Sequence, residues 1–243
     1  AEGSDWFWWF GEGHSSNQDA IFDQLFRNHL AKIYQSLNLP IPDELQEPLE
    51  PHERKDSHPP LSFIHPFIDG IADEQDWDKA GRIEIAASGA MHQNSDLKRL
   101  WYGLDHLNFY FRFDFKQGAQ PGTNIPPELH LFWFYPGVTL INSQLPLLNV
   151  PQHPPLDYFY HHHLGINIVE ETVWLEEATD HNRWFGRRTR AKFYFNDCLE
   201  LSVPWEDLGM SPDIFMNLIV VFSDRAHFRS YYPEKEFVIM QIP

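Results

Sequence analysis

The chain has 243 residues, with 18 Lys plus Arg against 35 Asp plus Glu, a formal net charge of -17. Phosphate polymers and anionic lipid surfaces need clustered cations, so this balance excludes nucleic acid and membrane as expected partners. Hydrophobic residues reach 42% and aromatic residues 16%, enough to build a core, while a single cysteine, Cys198, excludes an intrachain disulfide and a cysteine-based zinc site.

The chain opens on Ala1 and runs at once into Asp5-Trp6-Phe7-Trp8-Trp9-Phe10. A cluster so apolar does not suit a free arm, and the segment reads as the continuation of a longer polypeptide. Residues 16–37 then carry a helical stripe, with Ile21, Phe22, Leu25, Phe26, Leu30, Ile33, Tyr34 and Leu37 at i, i+3 and i+4 spacing. Ser15 with Gln18 fits a capping box, Asn38 suits the left-handed position past the last turn, and Pro40 blocks continuation. From residue 40 to 62 the prolines at 40, 42, 48, 51, 59 and 60 mix with charges. Proline fixes φ and removes a donor, so this is an extended connector between two units, 1–39 and 63–243.

Past the connector the period changes to two. Phe109, Phe111, Phe113 and Phe115 alternate with Tyr110, Arg112 and Asp114, the pattern of a half-buried strand, and the turn before it is placed at Gly103–His106. Further strands are expected at Leu129–Tyr135, Ile166–Leu175, Arg190–Phe195, Leu199–Val203, Leu218–Phe222 and Phe237–Ile242. Leu129–Tyr135 is apolar on both faces and central, with Trp133 in the core. Leu199, Leu201 and Val203 alternate with Glu200 and Ser202, so one face of that strand should be wet. Residues 116–128 and 143–156 are rich in Pro and Gln and read as long loops. Short strands separated by turn signals define a mainly β fold, an antiparallel two-sheet β-sandwich, preceded by one helix and the proline-rich connector.

The segment from Ser4 to Glu12, Ser-Asp-Trp-Phe-Trp-Trp-Phe-Gly-Glu, resembles the last conserved stretch of the family 57 glycoside hydrolases, the amylase and amylopullulanase group. The sandwich part is similar to the β-sandwich module, like a carbohydrate-binding module, that follows the catalytic region in long members. That likeness rests on Phe67-Ile68-Asp69-Gly70, Gly89-Ala90-Met91-His92, Lys98–Asp105 and Val203–Gly209. The resemblance implies an α-glucan ligand and an upstream catalytic domain of the same protein as partners. It also implies a retaining reaction, which needs two carboxyl groups about 5–5.5 Å apart. In the family both carboxylates lie upstream of the Trp-rich stretch, so this chain is expected to be inactive alone. Its sandwich would bind α-glucan or position the catalytic domain; a purely structural role and a metal-binding sandwich are the alternatives.

Sugar rings present apolar C–H faces that stack on aromatic planes, while carboxylates accept their hydroxyl hydrogens. Asp5, Trp6, Trp8, Trp9, Trp174 and Trp184 are therefore the candidate substrate-binding residues, with packing in the core as the competing role for each indole. Trp184 stands out because Asp180-His181-Asn182-Arg183 before it reads as a polar loop, and Trp174 because acids surround it. His161-His162-His163 places two rings on one side of a strand, a spacing that can chelate zinc or copper, but no third or fourth ligand follows from the spacing. A solvated or hydrogen-bonded loop is the reading preferred. Asp69, Asp73, Asp76 and Asp78 are turn or N-cap acids, or calcium ligands outside the EF-hand pattern. No other cofactor is expected. Cys198 is read as small-residue packing, and the lack of disulfides favours a cytoplasmic setting.

Overall fold

The computed structural model describes residues 57–85, 97–135, 141–152, 155–209, 216–232 and 238–240, with parts of 26–45. The predicted helix is seen in part: residues 26–27, 30–34 and 36 are helical, and the Leu37 amide donates to the Ile33 carbonyl. Residues Asp5, Trp6, Trp8 and Trp9 lie outside the described set.

The described strands, in chain order, are β1 (Ser57–His58), β2 (Gly81–Glu84), β3 (Leu97–Leu104), β4 (Asn108–Phe115), β5 (Glu128–Phe134), β6 (His162–Asn167) and β7 (Thr172–Thr179). They continue with β8 (Arg183–Arg187), β9 (Lys192–Phe195), β10 (Leu199–Pro204), β11 (Met216–Asp224), β12 (His227–Tyr232) and β13 (Val238–Met240). One sheet has the order β1-β2-β3-β4-β10-β9, and the other β12-β11-β5-β6-β7-β8 with β13 also on β11. Every pairing between these strands is antiparallel. The expected β-sandwich is the fold.

Between the sheets lie Leu100, Phe111, Phe113, Leu131, Trp133, Leu164, Ile166, Leu201, Leu218 and Val220, all fully or almost fully buried. Alternation along β4 and β5 sends these side chains inward, as the period of two required. Burial does not stop there. Ile64, Trp77 and Ala80 from the segment before β2 pack on Trp101 and Tyr110, covering the outer face of the first sheet. Leu145, Leu156 and Tyr160, from the segment before β6, cover Phe132, Phe134, Ile219 and Val221 on the outer face of the second. The aromatic content is spread over three apolar layers rather than one.

This layering corrects two expectations. Glu200 is not on a wet face: it is 1% exposed. Its carboxylate accepts hydrogen bonds from the amides of Asp69 and Gly70 and from the Trp77 indole. Tyr110 and Arg112, on the outer side of β4, are buried as well. A third correction concerns Ile166–Leu175, which is a hairpin and not one strand. Asn167 accepts from the amides of Val169 and Glu170, and Glu171 takes a φ of 53°, turning β6 into β7. The turn before β4 falls at Asp105–Leu107, with Asp105 accepting from the amides of Leu107 and Asn108.

Candidate functional site

The outer face of the second sheet changes character from β11 to β8. Over β11 and β5 it is covered; on β7 and β8 Trp174, Glu176 and Trp184 keep part of their surface, and the covering segment reaches β8 at Gln144. Strand register defines the rows. One runs Ile219, Phe132, His163, Glu176 and Gly186; the next runs Val221, His130, Gly165 and Trp174. Trp184 stands on β8 opposite Ala178, one row to the other side.

Gly165 is where the surface becomes flat. A Cβ built there would lie 2.1 Å from Cε2 and Cζ2 of Trp174. The indole is therefore folded across the sheet and rests on the backbone of β6, a close approach only glycine permits. His130 and His163 stand upright beside it, their rings 5.9 Å and 6.1 Å from the indole at interplanar angles of 76° and 90°. Trp184 meets His163 from the other side at 5.8 Å and 74°. Its indole N–H donates to the Gln144 carbonyl at 2.9 Å. Both tryptophans are half-buried.

Between the two indoles sits a chain of polar groups reaching into the sheet. Glu176 accepts from His163 Nδ1 at 2.7 Å, and His163 Nε2 lies 2.8 Å from His130 Nδ1. His130 Nε2 lies 2.8 Å from the Ser223 hydroxyl, which donates to Glu128 at 2.5 Å. His130, His163 and Ser223 are buried, whereas the Glu176 side chain keeps 26% of its surface open. The bond from His163 holds the Glu176 carboxyl below its ordinary range, against the opposing effect of its burial. His130 beside Glu128 brings that carboxyl down to about 2. Burial pushes His163 down to about 4 against the pull of Glu176.

The histidine run is buried and hydrogen-bonded, not solvated, with His161 in the bend before β6 and His162 and His163 opening the strand. His161 and His163 do share a face, as a strand period requires. Yet His161 Nδ1 accepts the Tyr135 amide at 3.1 Å, and His162 points inward to the Tyr135 hydroxyl at 2.9 Å. Among the described residues no three His, Cys, Asp or Glu side chains are grouped to hold a metal ion. Asp69 and Asp73 accept backbone amides two residues on, as turn acids do. Cys198 is a buried free thiol, raised to about 12 by burial.

Of the residues singled out from the sequence, Trp174 and Trp184 come together around His163. Trp184 lies on a strand, not in a polar loop. His130, Glu128 and Ser223 had no local signal; the lone glycine inside Leu164-Gly165-Ile166, facing a tryptophan, was the usable one.

No family model matches the chain, and no curated protein matches it. Among solved structures the chain is similar to a family 9 carbohydrate-binding module from Caldicellulosiruptor kristjanssonii in complex with cellotriose. The TM-score is 0.38 and the identity 14%, over 71% of this chain and 80% of that one.

Proposed function

We propose that the chain is a saccharide-binding β-sandwich whose binding surface is the Trp174–Glu176–Trp184 side of the second sheet. The observation that carries this reading is the Trp174 indole laid flat on Gly165. A half-open aromatic plane with a partly open carboxylate beside it combines the two contacts a pyranose offers, an apolar face and hydroxyl donors. Trp174 and Ala178 are four residues apart on β7, roughly 13 Å at a strand's rise. A surface stretching from Trp174 to Trp184 is longer than one sugar ring, so an oligosaccharide fits it better than a monosaccharide. The net charge of -17 and Glu176 disfavour anionic sugars, so the ligand is a neutral glycan. The resemblance to family 57 glycoside hydrolases makes α-glucan the leading candidate, held near a catalytic domain of the same protein.

A second reading, a bracing role toward such a domain, draws on Ile33, Leu37 and Leu39, which are 53%, 62% and 50% exposed.

Affinity electrophoresis of the full chain through gels containing amylopectin, a β-1,4-glucan or a uronic-acid polymer tests the proposal. Retardation by a neutral glucan, lost in both Trp174→Ala and Trp184→Ala, supports it. Equal retardation of wild type and both variants, or none by any neutral glycan, overturns it.

A further inference from the structure

The buried chain behind Glu176 has a proton count that its geometry makes explicit. Four links join five groups: Glu128 to Ser223, Ser223 to His130, His130 to His163, and His163 to Glu176. Each link needs one hydrogen. The Ser223 hydroxyl gives its hydrogen to Glu128 and so must accept from His130 Nε2. His163 gives its Nδ1 hydrogen to the Glu176 carboxylate. A serine and two neutral imidazoles then have supplied all they hold, three hydrogens for four links. The 2.8 Å contact between His130 Nδ1 and His163 Nε2 is left with two facing lone pairs, which repel. The closed geometry is that of a chain carrying one more proton, a cationic imidazole pair between two carboxylates.

We propose that Glu128, Ser223 and His130 are positioning residues for the saccharide surface, acting through a proton shared by His130 and His163 that holds the two rings together against the Trp174 indole. The proposal rests on the saccharide reading of this face. The link to the platform is ring contact: the indole meets His130 at 5.9 Å and His163 at 6.1 Å, edge-on to both. Without the shared proton the facing lone pairs push His130 and His163 apart, and the indole loses the paired rings it stands against, while His163 keeps its bond to Glu176.

Among the described residues, the groups facing the pair are few. β5 brings Glu128, and β7 brings Glu176. On β6 itself there is His161, whose Nδ1 is occupied by the Tyr135 amide. The covering segment brings Tyr160, whose hydroxyl donates to the Pro155 carbonyl and which burial keeps in its neutral form. β11 contributes only the Ser223 hydroxyl, and β8 offers Gly186 opposite Glu176. Two carboxylates favour the extra proton; burial of His163 opposes it.

Two measurements on the full chain test this. Imidazole nitrogen NMR, without ligand, is followed from about pH 8 to about pH 4. The proposal expects an N–H···N bond joining the His130 and His163 rings at the acid end. Two rings with no such bond at any pH in the range overturn it. Affinity for maltohexaose and cellohexaose is measured over the same range. Wild type should tighten about tenfold toward acid, the worth of one charge-assisted hydrogen bond. Ser223→Ala and His130→Gln should bind with a flat profile, and Glu128→Gln, which keeps the links but removes a charge, should move the midpoint to lower pH. A wild-type profile retained in His130→Gln and Glu128→Gln overturns the positioning role even if Ser223→Ala does not fold. Absence of glucan binding at every pH overturns the saccharide reading together with the positioning role, and the ligand-free spectra still decide whether the proton is shared.

Discussion

The Trp174 indole covers Gly165 on the neighbouring strand so closely that a methyl group on Gly165 would lie 2.1 Å from two of its ring carbons. Gly165→Ala must therefore lift the ring off the sheet or push β6 aside. Overpacking of this kind costs about 1–3 kcal/mol. The cost should nearly vanish when Trp174 is already alanine, since the clash partner is gone. A double-mutant cycle by urea denaturation checks this; a Gly165→Ala penalty of equal size in both backgrounds would show that the ring is not the obstacle.

The same pair shows what the sequence could and could not reveal. Alternation of Phe109 through Phe115 and the all-apolar run Leu129–Tyr135 give the strands and the inner core directly, because one-sided or two-sided burial writes itself as a period. The outer layers do not. Glu200 looks like a solvent-facing residue until Asp69, Gly70 and Trp77, about 130 positions earlier, close over it. The turn after Asn167 carries no Gly or Pro, so β6 and β7 read as one strand. That error also hid the site, since only the hairpin register sets Trp174 against Gly165 and Glu176 against His163.

Glu200 leads to a stability prediction. Three donors converge on its carboxylate, at 3.0 Å, 3.0 Å and 2.9 Å. Glu200→Ala strands all three in a dry place and should cost about 3–5 kcal/mol. Glu200→Gln keeps one acceptor oxygen and should cost less. Burial raises the Glu200 carboxyl above its ordinary range, so the charge itself is not what favours folding. Denaturant midpoints for the two variants decide: if glutamine is as costly as alanine, the acceptor geometry is not the source of stability.

Trp184 separates binding from anchoring. Its N–H donates to the Gln144 carbonyl at 2.9 Å, and its ring meets Phe132 and His163 edge-on. Trp184→Phe removes the donor but keeps an aromatic plane, so it should cost about 1 kcal/mol of stability and retain most glucan affinity. Trp184→Ala should lose that affinity at least about tenfold. Calorimetric titration with maltohexaose and cellohexaose distinguishes the two; equal affinity for both variants would mean the ring does not meet the ligand.

Two neighbouring histidines make the fold sensitive to acid. His161 and His162 are 2% and 6% exposed, and desolvation holds each at about 4. For His161 the cause is visible in the bonding: its Nδ1 accepts the Tyr135 amide, so a proton on that nitrogen would break the contact. In the unfolded chain these rings take up protons near about 6.5. As the pH falls below that value, the unfolded state binds protons that the folded state refuses, so stability present above it is lost progressively down to about 4. Each ring can contribute on the order of 3 kcal/mol across that window. Glu128 and Glu176, both lowered, extend the loss in the same direction at still lower pH. Urea denaturation at a series of pH values should show this decline, and His161→Leu, which carries no titrating ring, should make it shallower by the share of one proton. A stability that stays level between neutrality and the ordinary carboxylate range would mean that these rings accept protons inside the folded sheet.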